Sequence, residues 1–343
     1  MPDRLVASLS EWYIDPESKR WTSCRFVSRS RFGQGESQLE PRHRLTRLIG
    51  IVSTLALAFA IASVHLYRPV AASGAILTVT GQGNEDPANG LCDLEEAVKA
   101  AVTDSNYNDC TASGYGDDTI VLSGAVTLTN SLLVDKGGNL TLTGGGTIQW
   151  DGDPTTRLMW ISGLSSPLTV RIEGLTLRGN QNPGIHVEHA TLEVIESTLE
   201  SFATGTRGGA IRAQPAATVL VTRSIFRNNL ARIGGAISGF PYDPYQGTVI
   251  RIDESTFEGN RGIRGGALAV MASTVTITRS TFAGNTASQY GAAIHAHTNS
   301  EVVVLNSTFS GNAAPSGSVL NVGRRTAMAV VFTTLADQRG GPA

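Results

Sequence analysis

From about residue 168 onward, apolar residues recur two apart in short segments, as in Val170-Arg171-Ile172, Val219-Leu220-Val221 and Val275-Thr276-Ile277. A period of two marks strands rather than helices. The segments themselves recur. Leu177, Leu199, Phe226, Phe257, Phe282, Phe309 and Leu335 mark one position, at intervals of 22, 27, 31, 25, 27 and 26 residues. Seven residues before these markers stand Val170, Leu192, Val219, Ile250, Val275, Val302 and Met328. Five before stand Ile172, Val194, Val221, Ile252, Ile277, Val304 and Val330. Glycine blocks follow in phase: Gly208-Gly209-Ala210-Ile211, Gly234-Gly235-Ala236-Ile237, Gly265-Gly266-Ala267-Leu268 and Gly291-Ala292-Ala293-Ile294. The longest interval contains the insertion around Phe240-Pro241-Tyr242.

Strands that recur every ~26 residues without a helical period between them predict a β-solenoid, specifically a parallel β-helix. Each coil then lies about 4.8 Å from the next, and equivalent residues stack in columns. Phe226, Phe257, Phe282 and Phe309 are predicted to stack inside. Asn229, Asn260, Asn285 and Asn312, three residues after those markers, are predicted to form an amide ladder at a bend. A serine column (Ser197, Ser224, Ser255, Ser280, Ser307) precedes the markers by two. Three before the markers, Glu196, Arg223, Glu254 and Arg279 alternate in charge, which disfavours a one-coil slip. Late exterior positions turn apolar (Val303, Leu305, Ala329, Val331, Phe332), so the expectation is either a covering segment or a chain that stops before its cap.

Ahead of the repeat, residues 48–64 (LIGIVSTLALAFAIASV) carry no charge, follow Arg42, Arg44 and Arg47, and precede the small residues Ala71 to Ala75. That is the pattern of a cleaved secretory signal or an uncleaved signal-anchor, and it predicts export of everything beyond about residue 75. Residues 1–47 read as a poorly structured extension behind an early start codon, 48–75 as the signal, 76–118 as an N-terminal cap, 119–338 as the solenoid and 339–343 as a tail. In an oxidising compartment Cys92 and Cys110, the two cysteines of the exported part, are expected to pair. Leu94, Val98 and Ala101 form the apolar stripe of a short capping helix that Asp93 and Glu96 would close with a capping box.

The chain has 343 residues, 16% of them charged, and 24 of its 27 basic side chains are arginine. Residues 74–343 hold 17 basic and 23 acidic groups, which gives no general attraction for nucleic acid or an anionic membrane. Membrane contact is expected only through 48–64. The GGA and F-x-x-N repeats resemble those of bacterial polymorphic outer-membrane proteins over roughly 168–338. The segment Cys92-Asp93-Leu94-Glu95-Glu96-Ala97, with Gly116-Asp117-Asp118-Thr119-Ile120 after it, resembles an exported cap module named for a C-S-L-R-E-A motif. It departs from that motif at Asp93 and Glu95, where the motif has Ser and Arg. The resemblance implies a right-handed parallel β-helix, all-β with a short N-terminal capping helix, secreted or displayed at the cell surface, where surface polysaccharide or another surface protein would be its partner. It brings no catalytic set.

Candidate chemistry is thin. Hydrolysis of a glycoside needs two carboxylates in reach of one bond. The outer columns (Glu173, Ile195, Thr222, Asp253, Thr278, Leu305 and Arg171, Glu193, Leu220, Arg251, Thr276, Val303) bring no acids together; Asp253-Glu254, consecutive on a strand, would face opposite ways. Asp151 and Asp153 read as a polar turn. His186, Arg212, Ser238, Ala269, His295 and Asn321 form an outer column whose histidines are expected to be exposed and, without a third ligand, to bind no metal. No catalytic residue and no cofactor is assigned, and the function expected is that of an adhesive or structural scaffold. The alternatives are a carbohydrate-active enzyme, a polysaccharide lyase or glycosidase with its groove on the His/Arg column, and a fragment of a larger surface protein.

Overall fold

A computed structural model describes residues 11–14, 21–24, 73–112, 116–242, 246–315 and 318–340. The predicted signal segment 48–64 lies outside them. Among the described residues no helix is long and apolar enough to cross a membrane.

Short strands coil around one main apolar core, with a small second cluster of Ala287, Ala292 and Ala314, and pair in parallel with their counterparts one coil away, forming four sheets. The long sheet contains ten such strands, from Ser73–Thr78 to Ala327–Val331. The phenylalanine sheet has nine, from Ala125–Leu128 to Thr334–Ala336. The histidine sheet has eight, from Leu132–Val134 to Leu320–Val322. A shorter sheet has six, from Ala203–Arg207 to Arg339–Gly340. The chain is a parallel β-solenoid.

The register is the one the repeat predicts. Val219 pairs with Leu192 and Ile250, Val221 with Val194 and Ile252, and Phe257 with Phe226 and Phe282. It also extends above the repeat, with Leu140 opposite Val170, Ile148 opposite Leu177 and Leu77 opposite Ile120. The four phenylalanines are fully buried. Their rings stack at 4.8, 4.8 and 4.9 Å between centroids, within 8° of parallel. Their spacing is therefore that of the coils.

Corners between the sheets rest on left-handed backbone. The residue three before each marker has positive φ in seven successive coils, from Gly174 through Glu196, Arg223, Glu254, Arg279 and Asn306 to Phe332. In the glycine blocks neither glycine leaves room for a Cβ. On Gly234, which has φ of 66°, it would lie 2.1 Å from the Ile237 carbonyl oxygen, and on Gly235 it would lie 2.1 Å from the Gly266 carbonyl oxygen of the next coil.

At the N-terminal end helix α1 (Leu94–Thr103) packs Leu94, Ala97, Val98 and Ala101 into the same core as Ile120 and Leu122. Glu96 accepts from the Asp93 N–H (3.2 Å), one arm of the predicted capping box. The Asp93 carboxylate is also directed elsewhere, accepting from Asp86 N–H (3.1 Å), Asn89 Nδ2 (2.8 Å) and Gln82 N–H. It therefore ties the helix start to the preceding loop. At the other end an antiparallel hairpin, Glu11–Ile14 with Trp21–Cys24, adds to the edge of Ala327–Val331 through Trp12 and Val330. Val303, Leu305 and Val331 are half-buried there, while Phe332 is 70% exposed.

The stacked register separates two neighbouring positions energetically. Phe257→Ala is expected to cost about 3–5 kcal/mol, as large-to-small core changes do. Glu254→Ala, three residues earlier but outward, should cost under ~1 kcal/mol because its ion pair is exposed. Urea unfolding of both variants measures the contrast. Equal costs would contradict the stacking.

Candidate functional site

Asn229, Asn260, Asn285 and Asn312 lie fully buried at the bend after the phenylalanine sheet. Asn260 shows the pattern. Its Nδ2 donates to the Phe226 carbonyl (2.9 Å) and to Asn285 Oδ1 (3.0 Å). Its Oδ1 accepts from the backbone N–H and the Nδ2 of Asn229, each at 3.0 Å. A primary amide has two donor hydrogens and two acceptor lone pairs, and all four are used. The ladder starts at the Phe202 N–H and runs to Gln338. Phe202, in the same column, places its ring in the core, and Asn180 lies outside, bonded to Asp151. A second ladder runs beside it. Each serine hydroxyl donates to the carbonyl two residues back and accepts the N–H of the equivalent residue in the preceding coil, as Ser255 does from Ser224 (3.1 Å). These columns are structural: their polar groups point at one another.

Cys92 and Cys110 are joined in a disulfide that holds the start of α1 to the following loop. The two departures from the cap motif have partners of their own. Glu95 pairs with Lys99 (3.0 Å) and accepts from Glu85 N–H and Asn130 Nδ2, both at 3.0 Å.

Outer carboxylates are taken up by arginines of adjacent coils. Glu196 meets Arg223 at 2.8 Å, Glu193 meets Arg171 at 3.1 Å, and Glu200 meets both Arg178 and Arg227 at 2.5 Å. The expectation that Asp253 and Glu254 point apart is corrected: both reach Arg279, Glu254 at 3.0 Å. Strand alternation ends at Glu254, whose left-handed backbone turns its side chain to the same side. Asp153 is a turn residue, accepting from the N–H (2.7 Å) and hydroxyl (2.6 Å) of Thr155.

The histidine sheet departs most from expectation. His186 and His295 are buried, although they alternate outward from the core. At His295 the turn of the glycine block folds over this column, so closely that a Cβ on Gly291 would lie 3.0 Å from the His295 Cα, whereas His186 is packed against Arg157 and Trp160. Tyr290 and His297 stack on His295, with centroids at 6.5 and 5.8 Å. Among the described residues no three histidine, cysteine or acidic groups converge as metal ligands. Around His186, Arg157, Arg207 and Arg212 line a cleft of about 360 Å³. Arg157 donates to His186 Nδ1 and lies over the Trp160 ring at 5.1 Å. Arg207 lies 5.2 Å over Phe240, the first residue of the insertion.

A family model for the right-handed β-helix region matches residues 160–334, just over half of the chain. The chain belongs to the right-handed β-helix family. No curated protein and no solved structure matches it significantly. Enzymes and non-enzymes share this β-helix architecture, so its chemistry has to be argued from side chains.

In this β-helix the buried histidines set a pH response. Burial, then the charges of Arg157 and Arg212, pushes His186 down to about 3. Burial outweighs the hydrogen bond to Asn321 at His295, and with His297 and Arg264 pushes it to about 4. Both are neutral in the folded chain at pH values where an unfolded histidine, with its ordinary value of 6.5, takes up a proton. Stability is therefore complete above about pH 6.5 and declines as pH falls, by up to about 1.4 kcal/mol per pH unit for each histidine. The urea midpoint should fall between pH 6.5 and 5, and His295→Gln should reduce the slope. A slope unchanged by that substitution would contradict the burial of His295.

Proposed function

We propose that this β-helix is an exported scaffold, secreted or displayed at the cell surface, with an adhesive or structural role and no catalysis. The observation that carries the reading is the pairing of outer carboxylates with arginines one coil away. A general acid at neutral pH needs a raised pKa and free reach to its substrate. Here the trend runs the other way. The hydrogen bond from Arg171 holds Glu173 below the ordinary carboxylate value. At Glu200 burial works upward, but Arg178 and Arg227 outweigh it and bring the group down. Pairs of this kind hold coils in register and make poor proton donors.

Export is supported from two sides. The uncharged run 48–64 behind a basic flank is suited to direct the chain out, and the Cys92–Cys110 disulfide suits an oxidising compartment. The in-phase GGA and F-x-x-N blocks, like those of polymorphic outer-membrane proteins, and the C-S-L-R-E-A-like cap support display at a surface.

Expression of the full chain tests both halves. The exported fraction should contain a chain whose N-terminus lies between Ala71 and Ala75, and it should leave a panel of polysaccharides uncut. A soluble exported chain with Met1 intact would contradict a cleaved signal. Metal-dependent cleavage that Asp253→Asn abolishes would contradict the scaffold.

A further inference from the structure

The cleft at His186 arises from a missing strand. The shorter sheet begins only at Ala203–Arg207, because the coil between Leu177 and Leu199 spans 22 residues and has no equivalent segment. Ala203–Arg207 is thus the first strand of its sheet, tied to the preceding coil by the Ala203 N–H on the Asn182 carbonyl (3.0 Å) but with no strand beside it there. The cleft lies at that step, between residues 154–157 of the coil before and Thr204–Gly208, with the buried His186 at its wall.

The arginines of this cleft differ from the others of the solenoid in being both half-buried and without an acidic partner. Five of the other arginines, Arg171, Arg178, Arg223, Arg227 and Arg279, pair with an acid of the same or an adjacent coil, whereas Arg232, Arg251, Arg261 and Arg264 have no such partner among the described residues but are exposed. None of Arg157, Arg207 and Arg212 has an acidic partner within 4.0 Å among the described residues. Glu188 is the one acid whose charge reaches Arg157 and Arg212, and it accepts from Trp160 Nε1 (3.2 Å) and Ser162 Oγ (3.2 Å). His186 adds no charge. Its Nδ1 accepts from Arg157, so its proton sits on Nε2. Two buried nitrogens, His186 Nε2 and Arg212 Nε, have no hydrogen-bond partner. Three guanidinium groups against one carboxylate leave an uncompensated positive cluster, part of it withdrawn from water, where an unpaired charge is costly. Beside it the Trp160 indole is 41% exposed and fixed by Glu188 and Arg157.

We infer that this cleft binds the oxyanion group, carboxylate or sulfate, of an acidic glycan. A guanidinium fork matches such a group with two parallel hydrogen bonds. The part of the indole left exposed beside Arg157 offers apolar surface against which the C–H face of a sugar ring packs, with its N–H already engaged. The site gives the non-catalytic scaffold a ligand and rests on that reading, but it does not depend on export.

Titration calorimetry of the purified chain with oligogalacturonate, dextran sulfate oligomers, neutral dextran and inorganic sulfate tests it. At least one acidic oligosaccharide should bind, more weakly as salt is raised, and the stronger of the two identifies carboxylate or sulfate. Arg212→Gln and Arg157→Gln should each weaken it about ten- to a hundredfold, with the β-type circular dichroism retained. Arg223→Gln, an arginine on another face, should leave binding as it was. Equal binding of neutral dextran, equal loss in Arg223→Gln, or no binding of either acidic oligomer would overturn the site. Inorganic sulfate binding as tightly as the oligomers would overturn its assignment to a glycan. Shortening of an oligomer during the titration would instead overturn the scaffold reading.

Discussion

Every buried polar group in the asparagine ladder finds its partner in an adjacent coil. An amide such as that of Asn260 is satisfied only if Phe226 and Asn229 stand in the coil before it and Asn285 in the coil after. A displaced coil would leave several buried donors and acceptors empty, at about 1–3 kcal/mol for each. A slip of a single residue would also turn the apolar face outward. The ladder thus holds a register that apolar packing alone would leave looser, since stacked Val, Ile and Phe columns tolerate small shifts.

Once the register is held inside, the outside is free to vary. Intervals of 31 and 22 residues occur in the same solenoid without breaking any inner column. The long one accommodates the insertion beginning at Phe240, which packs against Arg207. The short one omits a strand and leaves the cleft at His186. Both irregularities meet at the same cluster of arginines, where the surface departs most from the repeat. In repeat proteins binding surfaces arise where coils differ, because identical coils present only a uniform wall.

Most of the inner architecture was legible in the sequence, because burial and a period of two coincide on the long and phenylalanine sheets. Val219, Val221 and Phe226 could be assigned to the core from spacing alone. The shorter sheet was not, since its buried residues Ala231, Ala287 and Ala314 are too small to register as an apolar period, and the last two pack with Ala292 apart from the main core. His186 and His295 were misread as exposed because alternation describes one sheet, and their cover comes from elsewhere: a glycine turn and Tyr290 over His295, Arg157 and Trp160 over His186. The arginine cleft was the least accessible feature: Arg157, His186 and Arg207 come from separate loops and strands, and only the stacking brings them together. Likewise Asp253 and Glu254 converge through a left-handed corner that no residue type signals.

Removal of one whole coil tests the stacked register most directly. Deleting residues 256–280 joins Ser255 to Thr281 and removes one repeat of 25 residues, the separation of the Ser255 and Ser280 hydroxyls in their ladder. Phe226 would then stack on Phe282, and Asn229 would donate to Asn285. The shortened chain is expected to unfold cooperatively in urea, with a far-ultraviolet spectrum of β type and only a modest loss of stability. A deletion one residue longer, which also removes Thr281, should be far less stable, because Phe282 would then stand in the outward place of Thr256. If both deletions fold equally well, or neither does, the coils are not held by in-register columns.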